Sequence, residues 1–347
     1  MSFAQFIQRS REEHILFSAM VELTYRCNWD CFFCYNDRQL QGKPMGVADY
    51  RRFFEDLATM GTMNLTLTGG EPLVHPDFFT IGGMARELGF LTRVKTNAHA
   101  LRGRVLERFL AEVAPYSIDV SLHGATAAVH DRQTRLPGSF DGLLETLPIL
   151  RDRGLRIRVN GTLTRWNEHQ IEAMYALMEG LGLDLVLQAD VTPRDDGDTT
   201  PLDIAPSPAA VSRLLEIQRR RREAAAPVTP PPAPTASPVA TTKHCAAGSA
   251  MVTVDPYGNV YPCVQLRRRI GNLHEHGIAH LWRHSTALEE VREENREVKR
   301  MLDRERAAGR PVDNYCPGTA QAQTGSPLVF HPHAKLRQKL QGELEQK

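Results

Sequence analysis

Three cysteines, Cys27, Cys31 and Cys34, lie within eight residues near the start of the chain. Their C-x3-C-x2-C spacing follows an apolar, β-favouring run at residues 20–25, which is typical of a loop that leaves a strand. Thiolates are soft ligands that suit iron–sulfur clusters. Because a four-iron cluster has four irons to ligate, three thiolates leave one iron open to another ligand. The spacing therefore predicts a [4Fe-4S] cluster held by this loop.

Two other uses of clustered thiols fit this loop less well. A structural zinc site needs four closed ligands and usually a second C-x2-C knuckle, and no such knuckle lies nearby in the sequence. Disulfide pairing would leave one of the three thiols over. We therefore prefer the iron–sulfur interpretation on the residues alone.

A glycine pair and an acidic residue follow the second predicted strand, in the motif Gly69-Gly70-Glu71-Pro72. Glycines let a backbone approach a ligand without a Cβ in the way. The Glu71 carboxylate can accept a charge-assisted hydrogen bond, worth about 1.5–3 kcal/mol, from a cationic amine. Seen alone, such a pair is more often only a turn, and its meaning here comes from the cysteines that precede it.

The three-cysteine loop followed by the Gly-Gly-Glu-Pro motif resembles the radical S-adenosylmethionine (radical SAM) superfamily. The resemblance implies that the open iron binds the amino and carboxylate groups of S-adenosylmethionine. An electron from the cluster then cleaves the sulfonium and yields a 5′-deoxyadenosyl radical. The cofactor carries the chemistry and the protein positions it. A reducing partner such as flavodoxin or ferredoxin is implied as well.

The same resemblance implies which residues contact the cosubstrate. They are Phe33 near the adenine, Gly69, Gly70 and Glu71 at the methionine amine, Asn97 near the ribose, Ser121 and Arg135 at the methionine carboxylate, and Asn160 as a weaker candidate. Phe33 is as well explained by core packing, and each polar residue at a strand end by the needs of a loop backbone. His123 and Gln188 face the same predicted mouth and are candidate substrate contacts, while no catalytic residue is assigned.

The other three cysteines are Cys245, Cys263 and Cys316. The segment Asp-Pro-Tyr-Gly at residues 255–258 separates two β-favouring runs and predicts a hairpin that brings Cys245 and Cys263 together. The stretch from Cys245 to Trp282 resembles the auxiliary-cluster (SPASM or Twitch) extension of radical SAM peptide maturases. It lacks the full seven-cysteine pattern, so we expect one auxiliary iron–sulfur cluster, of the [4Fe-4S] type, and not two.

The fourth ligand of that auxiliary cluster is left open by the sequence. The candidates are His244, His331, His333 and the substrate itself. Each of these histidines is more simply explained as a surface or packing residue. A metal-free α+β cap remains the alternative for the whole region.

Composition excludes several classes of partner. The chain has 347 residues and a formal net charge of +1, so nothing marks it as a protein that binds nucleic acid or a membrane surface. The first 17 residues do not resemble a signal peptide, and no apolar run is long enough to span a bilayer. We expect a cytoplasmic protein, because thiols stay reduced there.

Strand and helix patterns alternate through the first half of the chain. The predicted strands cover residues 20–25, 65–68, 92–96, 117–122, 155–162 and 184–189, and the predicted helices cover 46–60, 75–88, 101–113, 140–153 and 168–181. Six βα units in a row favour an α/β fold with parallel strands. The resemblance implies a partial (β/α)6 TIM-type barrel, whose chemistry lies at the C-terminal strand ends, where both motifs fall.

The predicted organisation has four regions. They are a helical lead-in at residues 1–18, the radical SAM partial barrel at 19–200, a charged helix and proline-rich linker at 201–243, and a small α+β auxiliary-cluster domain with C-terminal helices at 244–347. The lead-in is too short for the leader-binding module of some peptide-modifying relatives. Any such module is expected as a separate chain.

Our preferred hypothesis is a radical SAM enzyme that abstracts hydrogen from a ribosomally synthesised peptide, leading to a thioether or C–C crosslink, an epimerisation or a related modification. The second hypothesis is the same chemistry on a haem precursor or another small molecule. A cyclase of molybdenum-cofactor synthesis fits less well, since its C-terminal cysteine spacing differs. From another class, a non-catalytic iron–sulfur electron carrier would have no need of the Gly-Gly-Glu-Pro motif.

Overall fold

The structure, a computed structural model, describes residues 2–37, 39–225, 241–310, 312 and 314–345. The prolines of the predicted linker, between Pro227 and Pro238, lie outside the described residues. The charged helix predicted before them is present and covers Pro208–Ala225.

The described chain forms a single sheet flanked by helices. The strands are β1 (Ser18–Glu22), β2 (Asn64–Thr68), β3 (Leu91–Thr96), β4 (Ser117–Ser121), β5 (Ile157–Thr162), β6 (Asp184–Gln188), β7 (Met251–Val254), β8 (Asn259–Tyr261) and β9 (Gly271–Asn272). The helices are α1 (Phe3–Glu12), α2 (Val47–Thr59), α3 (Phe78–Glu87), α4 (Gly103–Arg108, continued by the π-helical turn Phe109–Val113), α5 (Ala127–Thr134), α6 (Ser139–Asp152), α7 (Ile171–Gly180), α8 (Pro208–Ala225), α9 (Ile278–His284), α10 (Thr286–Ala307), α11 (Pro317–Thr324) and α12 (Pro332–Glu345).

Strands β1 to β6 lie in sequence order and pair in parallel throughout. Parallel neighbours need a crossover, and the helices that follow the strands supply it. This arrangement confirms the predicted α/β class with a parallel, barrel-type sheet. All six carboxyl strand ends consequently meet at one edge, which is where the cysteine loop and the glycine pair emerge.

The C-terminal hairpin continues the same sheet. Strand β7 pairs in parallel with β1, with Ala19 opposite Val252, and β8 and β9 follow it in antiparallel order. The predicted hairpin is therefore present. Its turn is held by the buried Asp255 carboxylate, whose Oδ1 accepts hydrogen bonds from the backbone N–H of Tyr257 and Asn259, each at 2.9 Å.

One hydrophobic core runs across the predicted boundary at residue 244. Val21 and Leu67 of the barrel strands belong to the same buried cluster as Val252 and Val254 of β7. Neither the sheet nor the core is interrupted there, so the hairpin is attached along the length of the first strand.

Several elements differ from the sequence prediction, and two of these differences lie close to the cysteine loop. Helix α5 (Ala127–Thr134) was not predicted, because its mixed residues His130, Asp131 and Arg132 give no clear apolar stripe. Strand β1 covers Ser18–Glu22 and ends earlier than predicted, since the following residues turn into the loop that packs against the glycine pair.

Candidate active site

A cavity of about 730 Å³ opens where the carboxyl ends of the barrel strands meet the C-terminal region. Its size falls within the roughly 300–1,000 Å³ typical of small-molecule sites. Of the predicted site residues, those that line it are Cys27, Cys31, Phe33, Cys34, Gly69, Gly70, Asn97, Ser121, His123, Asn160, Gln188 and Cys316. The structure thus brings most of the predicted residues to one place, and Glu71, Arg135, Cys245 and Cys263 are not on its wall.

Backbone hydrogen bonds shape the cysteine loop. The N–H of Cys34 donates to the carbonyl of Cys31 at 3.1 Å, and the N–H of Trp29 donates to Cys27 Sγ at 3.3 Å. From outside, Arg194 donates to the carbonyls of Cys34 and Phe32 at 2.8 and 3.1 Å. These contacts hold the loop with its three thiols at the cavity wall.

The glycine pair is required by the loop beside it. A Cβ on Gly69 would lie 2.3 Å from the carbonyl oxygen of Thr24, and one on Gly70 would lie 2.4 Å from that of Arg26. Gly69 also has a φ of +136°, which side chains rarely adopt. The end of β2 therefore passes directly over the segment that leads to Cys27, and the glycines make this approach possible.

The Glu71 carboxylate is buried and already engaged. It is 1% exposed and accepts hydrogen bonds from Thr96 Oγ1 at 2.8 Å, from the N–H of Asn97 at 2.7 Å and from the N–H of Leu73 at 3.1 Å. Burial raises the pKa of Glu71 to about 7, although the hydrogen bonds to Asn97, Thr96 and Leu73 act in the opposite direction. Glu71 thus joins the ends of β2 and β3, and its contact with the methionine amine stays a prediction.

Beside the glycine pair, Asn36 donates from Nδ2 to the carbonyl of Gly69 at 3.2 Å. Asn36 was not predicted as a site residue, although it follows Cys34 by only two positions. On the neighbouring strand, Asn97 donates from Nδ2 to Asn28 Oδ1 at 2.7 Å. Both amides connect the cysteine loop to the strand ends that face the cavity.

His123 is a buried, neutral imidazole. It is 6% exposed, its ring meets Phe33 edge to face with 4.7 Å between centroids, and burial lowers its pKa to about 3. Its backbone N–H donates to His130 Nδ1 at 3.1 Å, which fixes the start of the β4–α5 connection. The rings of Phe33 and His123 therefore contribute an uncharged part of the cavity lining.

Arg135 does not line the cavity in the structure, and its expected contact with the methionine carboxylate stays a prediction. It ends α5 with a left-handed φ of 55°, which turns the side chain outwards. Its Nη1 lies 3.1 Å from Asp30 Oδ2, and its guanidinium lies 5.0 Å from the ring centroid of Phe32.

The three C-terminal thiols converge on one another. Burial, together with smaller contributions from the neighbouring Cys245 and Cys316, raises the pKa of Cys263 to about 12. Amide groups point at the sulfurs: Asn295 Nδ2 lies 3.4 Å from Cys245 Sγ, and the N–H of Thr319 lies 3.4 Å from Cys316 Sγ. Such donors stabilise cluster-bound thiolates, so the donor set fits an iron–sulfur group.

Each histidine considered as fourth ligand has a polar group or a ring beside it, although His331 Nδ1 and His333 Nε2 make no hydrogen bond within the described residues. His244 Nε2 lies 2.7 Å from the carbonyl of Tyr315, and His333 Nε2 lies 3.3 Å from Asp190 Oδ1. His331 stacks between the rings of Tyr315 and His333. Across the described residues, no three His, Cys, Asp or Glu side chains are arranged to hold a single metal ion.

An ion pair links the two cysteine regions, and sequence analysis missed it. Arg267 donates through both Nη atoms to the fully buried Glu22, at 2.9 and 2.7 Å, and its Nε lies 2.8 Å from Asp195 Oδ2. Burial raises the pKa of Asp195 to about 7, and Arg267 opposes that shift. Since 245 residues separate Glu22 from Arg267, no local pattern could have revealed the pair.

Three buried polar atoms of cavity-lining residues make no hydrogen bond within the described residues: Trp29 Nε1, Asn36 Oδ1 and Arg337 Nε. An unsatisfied buried donor or acceptor costs about 1–3 kcal/mol. Together with three thiols on the same wall, they fit a site that is completed by a polar cosubstrate and a cluster.

Comparison with known proteins decides the family. Residues 21–178 match the radical SAM superfamily, and residues 245–305 match SPASM, an iron–sulfur cluster-binding domain. The chain is a radical SAM enzyme with a SPASM domain. The predicted family, enzyme class and cofactors are thereby confirmed: a [4Fe-4S] cluster with S-adenosylmethionine in the first domain and iron–sulfur binding in the second.

Relatives of this radical SAM enzyme include two curated proteins and a solved structure. The AdoMet-dependent heme synthase of Methanosarcina barkeri is 27% identical and is matched over 91% of this chain and 95% of its own length. The mycofactocin maturase MftC of Mycobacterium tuberculosis is 27% identical over 78% of this chain and 71% of its own. The structure of anSMEcpe with bound AdoMet and Cp18Cys peptide shares the fold, with a TM-score of 0.70, 14% identity and coverage of 95% and 97%.

One further finding concerns membranes. Within the part of the chain that the structure describes, every helix is too short or too polar to cross a bilayer.

Proposed function

We propose that this radical SAM enzyme abstracts a hydrogen atom from a residue of a ribosomally synthesised peptide, and so begins a thioether or C–C crosslink, an epimerisation or a related modification. The observation that carries the proposal is the shared cavity: Cys316, which follows the SPASM match at residues 245–305, lines the same cavity as Cys27, Cys31 and Cys34. An auxiliary cluster beside the same cavity would suit a substrate that loses a hydrogen atom to the 5′-deoxyadenosyl radical and then loses an electron to that cluster.

The cavity residues divide into two groups in this proposal. Cys27, Cys31 and Cys34 would ligate the [4Fe-4S] cluster, which with S-adenosylmethionine supplies the 5′-deoxyadenosyl radical. The carbonyls of the glycine pair would accept hydrogen bonds from the methionine amine, and Asn97, Ser121 and Asn160 would offer polar contacts around it. Phe33, backed by His123, would cover the adenine and exclude water from it.

The substrate would occupy the side of the cavity nearer the SPASM domain. Gln188, Asp190 and Arg337 line this side. Cys245, Cys263 and Cys316 would hold one auxiliary cluster, with Cys316 nearest the substrate. A cavity of this volume has room for the cosubstrate and a small part of a substrate, which is consistent with a single side chain entering from a longer peptide.

We also propose the partners that this activity requires. A separate protein would bind the leader of the peptide, and a flavodoxin or ferredoxin would supply electrons. The enzyme would work in the cytoplasm, where its six thiols stay reduced.

Anaerobic reconstitution followed by substrate trials tests this function. The wild type should bind roughly eight irons per chain, and a variant with Cys27, Cys31 and Cys34 changed to Ala should bind roughly four. With dithionite, the wild type should release 5′-deoxyadenosine. Deuterium from labelled short peptides encoded beside the gene should appear in that product. Release without deuterium transfer from any such peptide would contradict the peptide proposal, and no release at all would contradict the enzymatic one.

The second candidate is a haem precursor as substrate. The observation that favours it is the match to the heme synthase, which covers almost the full length of both chains. Incubation with a side-chain-deuterated porphyrin precursor under the same conditions separates the two candidates. Deuterium transfer from the porphyrin, and not from peptides, would replace the main proposal.

A further inference from the structure

The cavity has a single carboxylate on its wall among the residues that the structure describes, and that residue is Asp190. Asp190 lies two positions beyond the end of β6, where the alternation of this strand continues. Val186, Gln188 and Asp190 are exposed and line the cavity, whereas the residues between them are buried. The side chain of Asp190 is 38% exposed. Its carboxylate therefore has acceptor sites open to the cavity, and an ionised carboxylate has no proton to donate.

Arg337 holds this carboxylate in place. Its Nη2 donates to Asp190 Oδ2 at 3.0 Å, and the whole residue is only 8% exposed. The helix that carries it, α12, is fastened by Gln338, whose Nε2 donates to the carbonyl of Arg310 at 2.9 Å. A buried guanidinium needs an opposite charge beside it, and Asp190 provides that charge. Removing the arginine would free the carboxylate to turn and would leave its charge uncompensated.

The charges on this side of the cavity cancel. Arg337 balances Asp190, and the nearby His333 ring, whose Nε2 lies 3.3 Å from Asp190 Oδ1, is neutral because burial lowers its pKa. Of the lining residues that the structure describes, the other cation is Lys95, which lies 3.6 Å from a carboxylate oxygen of Asp119. A carboxylate brought in by a substrate would meet the charge of Asp190, and an ammonium group would meet that of Arg337. A neutral N–H group can donate to Asp190 without disturbing this balance.

We propose that Asp190 is a specificity-determining residue, which accepts a hydrogen bond from an uncharged N–H of the substrate, as a peptide main-chain amide supplies, and disfavours substrates that present a carboxylate there. Arg337 is its positioning residue. The inference rests on the proposed function and extends it, because it names the group of the peptide that this side of the cavity recognises. It also bears on the second candidate function, since a porphyrin precursor carries carboxylate side chains at its edge.

The test compares two probes on the reconstituted full chain with S-adenosylmethionine bound. The first probe is the set of deuterated short peptides that tests the function, for which kcat and KM are measured separately. The second is a porphyrin with four carboxylate side chains, whose binding is measured by equilibrium dialysis.

Two single variants and a control are compared with the wild type. Asp190→Asn removes the negative charge and keeps the shape of the side chain, and Arg337→Gln removes the positive charge. Asp184→Asn is the matched control, because Asp184 is exposed on the same strand and does not line the cavity. Iron content and circular dichroism establish that each variant is folded and loaded.

We expect Asp190→Asn to raise the KM of the peptide about tenfold or more, with kcat little changed, because a charge-assisted hydrogen bond is lost. The same variant should bind the porphyrin about fivefold or more tightly than the wild type, since Arg337 then lacks its carboxylate. Arg337→Gln should bind the porphyrin no more tightly than the wild type, because the charge of Asp190 is left uncompensated. Without substrate, both variants should release 5′-deoxyadenosine with dithionite at the wild-type rate, and the control should match the wild type throughout.

A double variant covers the case in which a single variant does not fold. Asp190→Asn/Arg337→Gln leaves neither charge of the pair behind. It should keep the raised KM for the peptide and should bind the porphyrin as the wild type does.

Three results would overturn the proposal. An unchanged peptide KM together with an unchanged porphyrin affinity in Asp190→Asn would show that Asp190 does not contact the substrate. Porphyrin binding that weakens in both single variants would mean that the pair only supports the cavity wall. A lower kcat at unchanged KM would assign Asp190 to the chemical step. Deuterium transfer from the porphyrin in the wild type, and from no peptide, would contradict the proposed function, and the porphyrin affinities of the two single variants would still decide whether Asp190 selects by charge.

Discussion

Gly70 shows why a single residue decides the geometry of this site. Its position between the end of β2 and the carbonyls of Tyr25 and Arg26 leaves no space for a side chain. The sequence predicted a close approach at this glycine, but to a ligand. In the structure, the groups nearest to Gly70 are the backbone atoms of Tyr25 and Arg26, which lead into the cysteine loop. The cavity lies beside this contact.

Changing Gly70 to Ala should therefore disturb the loop. The new Cβ would lie 2.4 Å from the Arg26 carbonyl, and overpacking of this kind typically costs about 1–3 kcal/mol. We expect a lower free energy of unfolding and weaker S-adenosylmethionine binding, measured by chemical denaturation and by isothermal titration. Gly180→Ala is the matched control, since open space surrounds that position. Wild-type cosubstrate affinity in Gly70→Ala would contradict this account.

His130 should make stability depend on pH. Burial lowers its pKa to about 4, from an ordinary value of about 6.5. The unfolded chain therefore binds the proton first as pH falls, and the stabilisation present above pH 6.5 is lost towards pH 4, at up to about 1.4 kcal/mol per pH unit.

The variant His130→Asn removes that titration and keeps an acceptor for the N–H of His123. Its melting temperature should fall less steeply than that of the wild type between pH 6.5 and 4.5, measured on the metal-free chain. His169→Asn, at an exposed position, should retain the wild-type slope. Equal slopes in His130→Asn and the wild type would show that burial of this ring does not govern acid stability.

At the scale of elements, regular patterns were predictable and irregular ones were not. All six barrel strands have alternating or apolar runs, and the hairpin has a recognisable turn, so both were found from the sequence. Helix α5 was missed because its residues mix charged and small side chains, and the position of Arg135 at its end was therefore not predicted. Its left-handed backbone could not be inferred without knowing where the helix stops.

The segment after β6 braces the cysteine loop through Arg194. Changing Arg194 to Ala would leave the carbonyls of Phe32 and Cys34 without these donors. We expect the reconstituted variant to release iron to a chelator several-fold faster than the wild type, because hydrogen bonds around a cluster control its exposure. Arg283→Ala, exposed on α9, is the control. Identical release rates would contradict the bracing role.

On the scale of the whole molecule, contacts distant in sequence determine how the two cysteine regions meet. The sequence predicted each region separately, from its own cysteines and turn residues. The pairing of β7 with β1 and the bond between Arg267 and Glu22 depend on residues more than 200 positions apart, and no local signal encodes them. For this reason the cavity between the regions was not predictable, although most of the predicted site residues lie on its wall.

Replacing Arg267 by Gln should be costly. Glu22 is fully buried, and removing its partner leaves an uncompensated charge, a loss of about 3–5 kcal/mol. Chemical denaturation of the metal-free chain should show this decrease in the free energy of unfolding. Arg268→Gln, whose ion pair with Glu294 is more exposed, should cost less than about 1 kcal/mol. Similar values for both variants would refute a special role for Arg267.

The pairing of β7 with β1 also limits how the enzyme can move. Strand β1, which precedes the three early cysteines, is paired directly with β7 of the hairpin that lies between Cys245 and Cys263. Both cysteine regions are therefore attached to one continuous sheet. We expect the distance between the two cluster sites to change little during turnover. We therefore expect that a substrate which reacts at both sites moves between them while the sheet stays fixed.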